Sequence, residues 1–398
     1  MSKLPAFDKT QVLSVGIGQM VAWASSTYLP AVLATPMAGD FGVPASRVFA
    51  AFSGALILMA LAGPLVGRLI DRHGGRYVLC AANLMLAGGL VVLAGATASA
   101  VMFLGWALIG LAMALGLYDA AFAALVRQHG LAARAPITGI TLIGGFASTL
   151  GWPLTTFLVA QWDWRVACLV WAAANLLVAL PLNYYFIPAL PPVPEERRPE
   201  AVRPQDGPAA NGEGRRDFVL LALFGAATAF VTSAMAAHLP GLLLSAGVAA
   251  STTLLAAAML GPSQVLARLG EFIAAHKFRV NPLLTARVAT ALHPLAGLSL
   301  LGATGVPAVA LAFAVLHGAG NGLITIAKGT LPLYLFGARG YGVRQGKLAV
   351  AQRAMQALAP FLFSLVLEQG GAMAGLALTV GVSLLALAAL FGLCAGRR

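Results

Sequence analysis

The sequence predicts an all-α membrane protein, with twelve transmembrane helices in two pseudo-symmetric six-helix bundles. Three observations carry this. Hydrophobic residues make up 60% of the 398 and charged residues only 10%, against about 25% charged in a soluble domain. Apolar runs recur along the whole chain, each close to the roughly 20 residues that cross a lipid core. The runs also fall into two sets of six, separated by a polar stretch.

The first six runs cover 11–36, 46–69, 76–97, 100–127, 136–160 and 164–187. The second six cover 217–244, 251–275, 282–303, 305–335, 346–367 and 371–394. The polar opening MSKLPAFDKT leads into an apolar run too long for a signal peptide, so that run reads as the first crossing. Between the second and third runs, GRLIDRHGGRYVL (67–79) gathers Arg68, Asp71, Arg72, His73 and Arg76 around Gly74–Gly75. Each charge at the bilayer centre costs about 2.5–3.5 kcal/mol even on the gentlest scale, so this stretch is a polar hinge between two crossings. After the sixth run comes IPALPPVPEERRPEAVRPQDGPAANGEGRR, rich in Pro and Gly, with five acids against five bases. Such a composition reads as a flexible linker. The expected organisation is an N-terminal bundle (1–187), a cytoplasmic linker (188–216) and a C-terminal bundle (217–398).

The net charge of +12 comes from basic residues scattered singly or in pairs at the ends of runs. That distribution fits the positive-inside rule and gives no nucleic-acid surface. With the N-terminus inside, 19 Lys and Arg fall on the cytoplasmic side and two, Arg47 and Arg165, on the other. Both termini are therefore expected in the cytoplasm, and the protein in a bacterial inner membrane. Cys80, Cys168 and Cys394 all sit in or beside apolar runs and form no paired framework.

The halves echo each other. GRLIDRHGGR at 67–76 aligns with GEFIAAHKFR at 270–279, a register preferred over one pairing GRLID with ARLGE at 267–271. Internal repeats of this kind mark many secondary transporters, with substrate handled where the halves meet. Together with the twelve runs and the charged linker, the hinge residues Gly67, Leu69, Asp71, Arg72, Gly74 and Arg76 resemble the major facilitator superfamily. The resemblance implies that Asp71 and its basic neighbours Arg72 and Arg76 latch the cytoplasmic side through helix 11, stabilising an outward-facing state. In the second half, Ala274 takes the place of Asp71 in this register. GPSQVLAR (261–268) resembles the monocarboxylate-porter-like branch, which implies that Arg268 in helix 8 binds a substrate carboxylate. Gln264 stands where that branch carries an aspartate, and helix 1 lacks its lysine.

Ionisable groups inside membrane helices are functional candidates by default. The substrate-binding set is Arg268, Gln264, Arg353, Tyr28 and Asn321. The gating or coupling set is Asp71, Arg72, Arg76, Asp119, Lys328, Glu271 and His238. Glu271 is a resting partner for Arg268 at i+3, and the resemblance sets Asp119 and Lys328 facing each other across a cavity. His238 and His317 titrate near neutral pH when unperturbed. Trp23, Tyr28, Tyr118, Phe122 and Trp152 serve either as cavity lining or as packing. GAGNG (318–322) is no phosphate loop, because it lacks the lysine that follows one and lies inside an apolar run. No HExxH, nucleophile elbow or metal-spaced Cys/His set occurs, so neither an enzyme nor a cofactor is expected.

The deep charges Arg268, Lys328 and Arg353 outnumber Asp119 and Glu271. The expected function is thus secondary active transport of a small organic anion such as a carboxylate, by alternating access and in symport with protons. Efflux of hydrophobic or cationic compounds is an alternative, and a non-transporting membrane sensor is a third. The expected partners are the substrate, protons and lipid, with no nucleic acid, and the chain is expected to be a monomer.

Overall fold

A computed structural model describes residues 9–191, 212–278, 280–302 and 306–393, and every regular element among them is helical. The first crossing is two pieces, α1 (Lys9–Ala24) and α2 (Pro30–Phe41). Pro30 has no N–H to give the Ser26 carbonyl, and the Ser26 hydroxyl donates to Ala22 C=O at 2.5 Å, so the helix parts here. Next come α3 (Ala45–His73) and α4 (Arg76–Ala94). The fourth crossing is α5 (Ser99–Gly116) and α6 (Tyr118–His129), parted by the extended Leu117. The fifth is α7 (Arg134–Gly144) and α8 (Ala147–Gln161). The sixth runs through α9 (Trp164–Ala174), a π-turn at Asn175–Ala179, and α10 (Leu180–Phe186). Pro181 removes one ladder donor at that turn, and the Asn175 side-chain amide donates to Trp171 C=O at 3.0 Å and to Ser25 Oγ, beside the first break, at 2.9 Å.

The second half is more regular: α11 (Gly212–Ser245), α12 (Ala250–Phe278), α13 (Pro282–Gly302), α14 (Pro307–Phe336) and α15 (Tyr341–Phe391). The last holds two crossings joined at Gly371, whose φ of 66° only glycine adopts at no steric cost. Ten helical stretches among the described residues are long and apolar enough to cross a bilayer. Ser99–Gln161 has 63 residues, which serves two crossings, and the divided first crossing completes the twelve.

Two expectations need adjusting. Most of the linker lies outside the described residues, but 212–216 belong to α11. An apolar run marks only the lipid-facing part of a helix, and Arg215 and Arg216 extend it into water. The repeat register also moves. Ala250 follows Ala45 by 205 positions, and Phe278 follows His73 by the same 205. Packing agrees. A Cβ on Gly110 would lie 2.4 Å from Ala55 O, and one on Gly318 would lie 2.8 Å from Leu260 O. Leu260 is again 205 positions after Ala55. The counterpart of Asp71 is therefore residue 276, where Ala274 was expected.

Residues 1–193 with 337–350 form one compact unit, and 194–336 with 351–398 form another. The first buries Trp106, Trp164, Trp171 and Phe122. The second is built around Phe230, Met235, Leu242, Phe313, Phe363 and Leu376.

Candidate functional site

The hinge is in the first unit. Asp71 lies in the last turn of α3, and its two oxygens accept from the backbone N–H groups of Gly342 and Val343, each at 3.0 Å. These amides belong to the first turn of α15, which has no intrahelical partners for them and carries partial positive charge. Close approach is permitted by glycine on both sides. A Cβ on Gly67 would stand 2.0 Å from Gly342 O, and one on Gly346 would stand 2.4 Å from Gly63 O. Gly63 and Gly67 face Gly342 and Gly346, each pair four apart, as in small-residue helix seams in membranes.

Gly74, at φ 82°, turns the chain out of α3, and Gly75 meets Ala124 so closely that a Cβ would be 2.1 Å from it. Arg76 donates through Nε to Ile187 C=O and lies 5.6 Å from the Tyr184 ring centroid. Arg127 donates to the Asp71 backbone carbonyl at 3.1 Å. Arg72 is exposed. Asp119, at the start of α6, accepts from Gln345 Nε2 at 3.0 Å. Residues 342–345 thus engage two carboxylates, one from α3 and one from α6.

In the second unit the buried Arg268 of α12 faces α14. Its Nε donates to Gly322 C=O at 3.3 Å, and its Nη2 to Gln264 Oε1 and Thr325 Oγ1, both at 3.4 Å. These are long contacts, at the weak end of hydrogen bonding. Gly318 and Gly322 let α14 lie against α12, since a Cβ on Gly322 would be 2.5 Å from Gln264 O. Thr325 Oγ1 donates to Asn321 C=O at 3.0 Å, and Asn321 Oδ1 is buried with no hydrogen-bond partner among the described residues. Glu271, one turn on from Arg268, is also buried.

A sequence profile of the Major Facilitator Superfamily matches residues 15–360. The chain belongs to that superfamily. No curated protein matches it in sequence. Among solved structures it is similar to the human organic anion transporter MFSD10 (TETRAN), with 18% identity and a TM-score of 0.72 over 96% of this chain and 99% of that one. It is also similar to the transporter FucP in the outward conformation, with 12% identity and a TM-score of 0.75 over 98% of this chain and 100% of that one. At these identities the likeness is one of fold, and the fold is that of transporters.

Within this superfamily member the expected site residues gather unevenly. Arg268, Gln264, Asn321 and Glu271 come together. Arg353, on α15, instead donates to Gln356 Oε1 at 2.6 Å. His238 Nε2 donates to Pro360 C=O at 2.9 Å, a bond between α11 and α15. Tyr28 is half-buried, its ring 6.2 Å from Trp23. Asp119 lies 20 residues after the start of α5 in the first unit, and Lys328 lies 21 residues after the start of α14 in the second. The side chain of Trp152 lies outside those described.

Sequence reasoning passed over Gly63, Gly342, Gly346 and Gln345, though small residues four apart in GPLVG (63–67) and GVRQG (342–346) were a usable signal. It also missed His293, whose ring lies 4.6 Å from the equally buried His317.

Proposed function

We propose that the protein is a secondary active transporter that carries a small organic anion, a carboxylate by preference, across the inner membrane in symport with protons. Arg268 carries the reading. A buried guanidinium beside Gly322, Gln264 and Thr325 presents a planar fork that a carboxylate can take bidentately, a geometry lysine cannot reproduce. Asn321 Oδ1, an acceptor, is nearby for a hydroxyl or a protonated group on the solute.

The working parts in this reading are the bundles 1–187 and 212–398, joined by 188–211, with both termini in the cytoplasm. Asp71 on the α15 amides holds the cytoplasmic end closed, and its release lets that end open. Efflux of cations has less support, because Asp119, the carboxylate that would draw a cation, is held by Gln345.

Uptake of labelled organic acids into proteoliposomes, with and without a proton gradient, tests the reading. An acid should accumulate when the gradient is applied. Arg268→Lys should weaken binding by about 1.5–3 kcal/mol, the worth of a charged hydrogen bond. Glu271→Gln should cost much less. Expulsion of cations with no acid flux would establish efflux, and binding without flux of either would mark a sensor.

A further inference from the structure

The glycine run GAGNG (318–322) of α14 has two faces, and only one of them belongs to the Arg268 site. Gly318 and Gly322, one turn apart, face α12. A Cβ on Gly318 would lie 2.8 Å from Leu260 O, and one on Gly322 would lie 2.5 Å from Gln264 O. Gly320 is about 200° round the helix from Gly318. A Cβ there would lie 2.4 Å from Cδ2 and 2.6 Å from Nε2 of His293, on α13. Lacking side chains at these three positions, α14 is a thin wall within the second unit. Arg268 stands on one side of it, donating to the Gly322 carbonyl, and His293 stands on the other.

The His293 ring has a partner in the ring of His317, on the same side of α14, with centroids 4.6 Å apart. His317 in turn stacks on Phe313 at 5.5 Å, with 7° between the planes. The two histidines are only 5% and 3% exposed. His293 Nε2 is sealed from solvent and has no hydrogen-bond partner among the described residues, which in a native fold asks for an explanation. A neutral imidazole keeps one nitrogen as N–H and the other as a lone pair. Two rings this close repel strongly if both are charged, so the pair takes one proton between them.

The charges around the pair are few. From α12 come the buried Arg268 and Glu271, and Lys328 lies further along α14. Arg287 of α13 donates to the Leu390 carbonyl, and Arg353 of α15 to Gln356. Past its charged start at 213–217, α11 has only His238, which is bonded to the Pro360 carbonyl. The stretch of α15 that meets α13, where Val380 faces Gly297, has no ionisable residue from 372 to 391. The side chain of Glu368 lies outside those described.

We propose that His293 and His317 are the proton-binding site of this transporter, holding one proton while an anion occupies Arg268 and releasing it when the anion leaves. The anion and the symport rest on the function proposed above; the site rests on the pair and on the thin wall. A helix is about 10 Å across, and unit charges that far apart change each other's occupancy about tenfold at an effective dielectric constant of 20. An uncovered guanidinium opposes the proton, and an anion on it removes that opposition. By linkage the proton favours the anion equally. The proton passes from water to a ring-nitrogen lone pair and back to water, so that with a monovalent anion no net charge moves.

Nuclear magnetic resonance of the full chain in detergent, with 15N-labelled histidine, reads the site without any solute. His293→Gln and His317→Gln assign the two signals, and thermal unfolding shows which variants are folded; either one suffices. Both rings should titrate with one shared midpoint between about pH 4 and pH 9. Arg268→Met keeps a stem but removes the charge, and should raise that midpoint by about one pH unit. Proteoliposomes then test coupling with labelled acetate, benzoate and succinate. Each histidine variant should lose gradient-driven accumulation about tenfold more than it loses exchange of labelled for unlabelled acid.

Ring signals that stay still over this range in both wild type and Arg268→Met overturn the site, and are the result expected of a pair that only packs. A titration that Arg268→Met leaves unmoved overturns it too. Acid accumulation that survives both histidine substitutions overturns the site and leaves the anion reading standing. A shared titration that Arg268→Met moves, with no acid accumulated by the wild type, supports the site and overturns the anion reading.

Discussion

Asp71 does for α15 what a capping side chain usually does for its own helix, accepting two first-turn amides that have no other partner. Asp71→Asn keeps the shape but sets an NH2 group against one of those donors. It should leave the protein inserted, destabilise the closed cytoplasmic end by about 1–3 kcal/mol, and slow transport. Cysteine accessibility on the two faces, measured beside uptake, checks this, and unchanged values on both would remove the latch. At the opposite end of the first unit, hydrogen bonds from Arg165 and then Trp164 hold the Asp40 carboxyl below the usual carboxylate range. That pair stabilises the fold above about pH 4, near the carboxyl's unfolded pKa of about 3.9, and its contribution fades as pH falls through the lower folded value. Both side chains are partly exposed, so the effect should stay below about 1 kcal/mol. Thermal unfolding of wild type and Asp40→Asn between pH 3 and pH 7 should converge at the acid end. The Gly-Asp-Gly spacing around Asp71 was visible in the sequence, and it adds shape to charge. The partners of Asp71 were not, because backbone amides leave no mark on residue type.

At the scale of the helix, the apolar runs disclosed where crossings lie and concealed where they break. Hydropathy is blind to backbone continuity, so the partings at Ser25–Leu29, Leu117 and Gly145–Phe146 passed unseen although Pro30 and the glycines stood in view. Pro360 shows how such a defect is repaired. Lacking an N–H, it leaves the Gln356 carbonyl of α15 without its ladder donor, and Ser233 Oγ on α11 supplies one at 2.8 Å. Ser233→Ala should therefore cost about 1–3 kcal/mol in the wild type. In a Pro360→Ala background, where residue 360 regains its N–H, the same change should be nearly neutral. A double-mutant cycle on thermal stability measures the difference, and additive effects would show that the serine does not perform this repair.

Over the whole molecule, the twelve crossings and their division into two sets were legible because lipid tolerates so few charges. The repeat register was less so. Hinge-letter matching gave a shift of 203, where helix ends and glycine contacts give 205. The 19-to-2 distribution of basic residues predicts that tags at residue 3, within 195–212 and after 398 all report from the cytoplasm, with a tag near Pro44 outside. A periplasmic reporter that works from within 195–212 would invert the topology.

Residues 337–350 group with the first unit although the chain reaches them only after α14. A gene divided at the linker would thus yield a front fragment missing part of its own surface, with the Gly63–Gly67 groove empty and Asp71 facing water. Such fragments should be poor independent folders and better co-expressed than alone. The halves share a helix pattern, yet the front one is completed by a stretch that the rear gene segment encodes.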